Sequence, residues 1–86
     1  MNGDNVKERV LKAIMLFDSS VAGLKLPDNA PKETRKVVEL SKMYASDARS
    51  FLEKGDIYTA FASIEYAHGL LDAIRELNGQ GYGSEK

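Results

Sequence analysis

Glu53-Lys54-Gly55-Asp56 reads as a corner between two helices. Glycine enters the left-handed conformation that closes a helix without a Cβ clash, and aspartate accepts hydrogen bonds from the free N–H groups that open the next one. Gly55-Asp56 is therefore a stop followed at once by a start. Lys54 offers a cation to the negative end of the upstream helix dipole, and Asp56 an anion to the positive end of the downstream one. So short a link makes the two helices an antiparallel hairpin.

Outward from the corner, 86 residues leave room for one domain. A core this small supplies only a few kcal/mol of net stability, and with no cysteine no disulfide can add to it. No stretch approaches the roughly 20 apolar residues of a membrane span, and nothing at the N-terminus reads as a secretion signal. A cytoplasmic protein is expected. The net charge of -1 gives no electrostatic reason to expect nucleic acid or an anionic membrane as partner. Trp is absent, β-branched runs are scarce, and the expected class is all-α.

Upstream, Asp4 or Asn5 can cap a first helix, on which Val6, Val10, Ala13, Ile14, Phe17 and Val21 recur at helical spacing and face a core. Gly23 and Pro27 end it. Pro27 to Pro31 is a polar connector across the end of a bundle, and Pro31 can sit in the first turn of the second helix, where a missing N–H costs nothing. Val37, Leu40, Ser41, Tyr44, Ala48, Phe51 and Leu52 form the expected buried stripe of that helix, with Arg35/Glu39 and Arg49/Glu53 as four-apart pairs on the wet face. The third helix runs from Ile57 to about Asn78, with Ile57, Ala60, Phe61, Ile64, Ala67, Leu71 and Ile74 on one side. Residues 1–78 thus make an up-and-down three-helix bundle, and the glycine-rich stretch 79–86 a flexible tail.

The stretch Tyr44-Ala45-Ser46-Asp47-Ala48-Arg49-Ser50-Phe51-Leu52-Glu53-Lys54-Gly55-Asp56, with the run Tyr66-Ala67-His68-Gly69-Leu70-Leu71-Asp72-Ala73 after an Ala60-Phe61 pair, resembles a small archaeal family catalogued as domain of unknown function three-fifty-seven. The resemblance covers the second and third helices closely and the first loosely. It implies an up-and-down three-helix bundle in an archaeal cytoplasm and no reaction. Some relatives are joined to a cytidylyltransferase-like domain, which implies an accessory role beside a nucleotidyltransferase-type enzyme and transfers no residue.

The chemistry that these residue types allow is limited. Glu65-Tyr66-Ala67-His68 matches the Glu-x-x-His step of di-iron bundles, and Asp72 lies on the same side. Such sites need a second step and more carboxylates from other helices, whereas this chain has one histidine and only Asp47 as an obvious addition. Asp47, Glu65, His68 and Asp72 are therefore kept as an alternative small-ligand set, with His68 expected as a boundary residue paired with Asp72 or Glu65, and no metal or cofactor is expected. His68 with Asp72 is half of an acid/base arrangement at most, and no catalytic residue is assigned. Lys32, Arg35 and Lys36 could touch phosphate, but Glu33 and Glu39 are interleaved and no aromatic neighbour stacks a base, which favours a solvated face.

One signal stands out. Opposite its core side the third helix carries Ala62, Tyr66, Leu70, Ala73 and Leu77, and its charged stripe narrows to Glu65, Asp72 and Glu76. A helix apolar nearly all round is normally buried on more than one side. Either the first helix and the connector cover this second face, or it is an interaction site. The expected function is a non-catalytic interaction module that uses Tyr66, Leu70, Ala73 and Leu77 to bind another copy or a larger intracellular protein.

Overall fold

The computed structural model describes the backbone of residues 3–77 and the side chains of residues 5–77. The expected boundary at residue 78 and the tail over 79–86 lie outside the described residues. Three helices follow in order: α1 (Gly3–Ala22), α2 (Lys32–Glu53) and α3 (Ile57–Arg75). The described residues contain no strand, and the chain is an all-α three-helix bundle.

The corner forms as the local chemistry requires. Gly55 takes φ 85°, the left-handed region that side chains avoid. Its N–H donates to the carbonyl of Leu52 at 3.0 Å, and the N–H of Asp56 donates to that of Phe51 at 2.9 Å. These nested bonds are a Schellman motif with Lys54 as the cap residue. Asp56 then caps α3, its Oδ1 accepting from the N–H of Thr59 at 3.2 Å. The same residue ends one helix and begins the next, so the link has no slack. The Lys54 ammonium lies 5.8 Å from the centre of the Phe51 ring, a cation–π distance.

Short side chains hold α2 against α3. Ala45 and Ala48 on α2, and Ala60 and Ala67 on α3, are buried in one cluster with Ile64 and Leu71. Alanines at a helix seam let the two axes approach toward the lower end of the usual 8–10 Å range. Ser41 is also fully buried there, its hydroxyl donating back to the Val38 carbonyl at 2.6 Å. The stripe expected on α2 is rotated slightly by this close approach. Val38 and Ala45 are buried, whereas Leu40 is pushed to the margin and is 37% exposed.

Helix α1 completes the core with Val10, Ile14 and Phe17, flanked by half-buried Val6, Ala13 and Val21. It leans on α3 and meets α2 only along its edge. The chain measures 43 × 25 × 16 Å, broader one way than the other across its length. Helix α3 is therefore the shared element, with α2 on one flank and α1 on the other. That position explains why its apolar arc is so wide.

Three local expectations are corrected. α1 already runs at Gly3, so Asp4 and Asn5 belong to its first turn and not to its cap. Pro31, at φ -58° and ψ 148°, is the residue before α2 and not part of its first turn; the N–H of Arg35 donates to its carbonyl at 3.3 Å. The four-apart pairs on α2 do not form. Arg35 instead donates to the carbonyls of Pro27 at 2.9 Å and Asp28 at 3.1 Å, and Arg49 forms an ion pair with Asp18 of α1. A guanidinium with several donors gains more from fixed carbonyls or a partner on another helix than from an exposed neighbour one turn away. Arg35 thereby ties the connector, already turned by the bond from the Ala30 N–H to the Pro27 carbonyl, to the start of α2.

Candidate interaction surface

The outer face of the hairpin, on the side away from α1, carries the residues singled out on α3. Tyr66 is 52% exposed and Leu77 74% exposed; Ala73 is exposed and Leu70 half-buried. The face is therefore not covered by α1 and the connector. Part of it packs on α2, where Tyr66 meets Tyr44 edge to face, with ring centres 4.5 Å apart and planes at 70°. Tyr44 and Tyr66 are equally far from Gly55 in sequence. In an antiparallel hairpin such positions stand at the same height, so Leu40 is level with Leu70 and Val37 with Ala73.

The periodicity of α2 did not reveal that this helix contributes to the same face. Leu40 and Met43, the latter 62% exposed, stand beside Tyr44 as a ridge. With Lys32, Arg35, Lys36 and Glu39 they border a shallow depression of about 310 Å³. Counting apolar residues by helical spacing assigned Leu40 to the core and left Met43 unplaced. The signal for both was the alanine seam, which shifts the line of closest contact away from them.

The candidate ligand set is spread out. His68 reaches α1, its Nε2 lying 2.8 Å from the Ala13 carbonyl oxygen and its ring meeting that of Phe17 edge on at 5.7 Å. It therefore does not make the expected pair with Asp72 or Glu65. The carbonyl requires a donor, so Nε2 carries the proton, and the imidazole acts as a peg between α3 and α1. Asp47, Glu65 and Asp72 are exposed. Among the described residues, no three histidine or carboxylate side chains gather as a cation-binding group. Of the three cations weighed for phosphate, Arg35 is already committed to the connector carbonyls.

Elsewhere on the surface, Leu11, Met15 and Leu16 of α1 are 44%, 68% and 55% exposed, a feature that the sequence reading did not anticipate. Tyr58 is 72% exposed close to the corner and stands apart from the ring contact of Tyr44 and Tyr66. A cleft of about 290 Å³ between Val21, Leu24 and Leu26 on one wall and Arg35, Val38, Glu39 and Lys42 on the other marks where the connector crosses the bundle. No described helix is long and apolar enough to cross a membrane.

Fold and surface together define a small helical bundle whose main unexplained feature is an uncovered apolar face. A family model described as a protein of unknown function (DUF357) matches residues 14–79, and the chain belongs to that family. The match takes in all of α2 and α3 and the second half of α1. No curated protein and no solved structure matches the chain.

Proposed function

We propose that this protein is a non-catalytic interaction module of the cytoplasm that acts by presenting the outer face of its α2/α3 hairpin to a protein partner. The observation that supports this reading is the exposure of Tyr66 on α3, whose other flanks are already used by α1 and α2, and of Leu77 just past the end of that helix. Tyrosine and leucine held on rigid helices lose little freedom on contact, and an apolar patch left in water marks a surface that another protein covers. A cytoplasmic setting fits the absence of cysteine from the sequence. The family resemblance adds an archaeal origin and leaves room for an accessory role beside a nucleotidyltransferase-type enzyme.

The test is a Leu70→Glu, Leu77→Glu variant compared with the parent chain. Light scattering reports self-association, and retention from a native lysate reports binding to another protein. Loss of either kind of contact with unchanged helicity supports the reading. A parent chain that is strictly monomeric and retains nothing, and that behaves like the variant, removes it.

A further inference from the structure

We infer that the partner for this face is a second copy of the chain, packed so that α2 of each copy lies on α3 of the other. This rests on the reading of the hairpin face as a contact surface and adds both the occupant and its orientation.

The first observation is Gly69. A glycine inside a helix costs about 1 kcal/mol relative to alanine, and a close neighbour within the chain would explain it. There is none, since a Cβ built at Gly69 meets nothing within 4 Å. With Ala62 and Ala73 it forms a lane of small, exposed residues along α3 beside Tyr66. The second observation is the pair Leu40 and Met43 on α2, both exposed; Leu40 lies one turn from Tyr44, whose ring meets Tyr66, and helical spacing therefore puts the ridge on the hairpin face that carries the lane. By the heights set at the corner, Leu40 is level with Leu70 and Met43 with Ala67, so the two straddle Gly69. A two-fold axis parallel to the hairpin exchanges α2 and α3 across the contact and leaves heights unchanged. Each ridge then enters the other copy's lane, the usual complementarity of packed helices.

Charge selects the same arrangement. At the end far from the corner the ridge is bordered by Lys32 and Lys36, with Glu39 beside them and Asp47 nearer the corner, and the lane is bordered by Glu65, Asp72 and Glu76. Lys36 is level with Ile74, between Asp72 and Glu76, so the two-fold brings cations of each copy to the carboxylates of the other. The other two-fold in the contact plane, perpendicular to the helices, would lay α3 on α3 and set the row of acids against its own copy, which is repulsive.

Sedimentation equilibrium of the full chain over a range of concentrations, with circular dichroism to verify the fold, tests the arrangement. The parent chain is expected to dimerise. Gly69→Gln fills the lane where the monomer has open space, so it should keep or raise the melting temperature at concentrations too low for association while weakening the dimer by about a hundredfold. Lys36→Glu or Glu76→Lys should each weaken it by roughly tenfold, and the two together should restore most of the loss. A parent chain that stays monomeric at every concentration overturns the inference, as does a Gly69→Gln chain that dimerises like the parent. If the monomeric parent still retains a lysate protein through Leu70 and Leu77, the contact-surface reading stands and the second copy does not; if it retains nothing, both fall.

Discussion

Two glycines of this chain have opposite meanings, and the difference is measurable. Gly55 is held at φ 85°, where a side chain is strained, so Gly55→Ala should lower stability by about 1–2 kcal/mol. Gly69 has ordinary helical backbone and an open Cβ position. Measured on the monomer, at concentrations too low for association, Gly69→Ala should raise the stability of the bundle by about 1 kcal/mol, read as a higher urea midpoint at unchanged slope. A lower midpoint for Gly69→Ala would mean that the site is crowded. The corner was legible in the sequence because Gly55 and Asp56 act through backbone groups within a few residues of themselves. The partners of Arg35, Arg49 and His68 were not. Each of those long or planar side chains chooses between a neighbour on its own helix and an acceptor on another element, and helical spacing describes only the first.

Among the elements, the α2/α3 seam sets the tolerance of the fold. Ala48, Ala60 and Ala67 are fully buried in the core cluster, where each contributes only a methyl group. Ala67→Leu should therefore force the helices apart and cost about 1–3 kcal/mol, seen in chemical denaturation. The same substitution would be nearly neutral if the seam were loosely packed. This seam also limits what could be read in advance. The apolar arcs of all three helices were visible as periodicity, and the broad arc of α3 correctly suggested more than one neighbour. Which edge of the α2 arc turns inward depends on how close the axes come, and that follows from alanines that count weakly in any hydrophobic pattern. Leu40 lies at the margin for that reason, and the exposed Leu11, Met15 and Leu16 of α1 fall outside the one regular stripe that its helical spacing marks.

For the molecule as a whole, the three helices are not equivalent. α1 buries one stripe against α3 and touches α2 only at its edge, where the half-exposed Asp18–Arg49 pair contributes at most about 1 kcal/mol. Local opening follows the amount of buried apolar contact. Native-state hydrogen exchange should accordingly show weaker protection in α1 than in the central turns of α3, around Ile64 to Leu71. Equal protection throughout would show that the bundle opens only as one unit. The bundle class was legible from length, periodicity and the corner; the uneven sharing of neighbours was not, because helical spacing says how wide an arc is buried and not which helix covers it.

The placement of α3 also bears on how the chain is made. Both earlier helices bury their apolar stripes chiefly against it, yet it follows them in the order of synthesis. While the ribosome has delivered only α1 and α2, those stripes have little to pack on and a nascent chain must wait with greasy surface open to chaperones. Folding of the bundle is thereby deferred until α3 has left the exit tunnel, and a transcript truncated within α3 should yield a degraded product and not a partly working one.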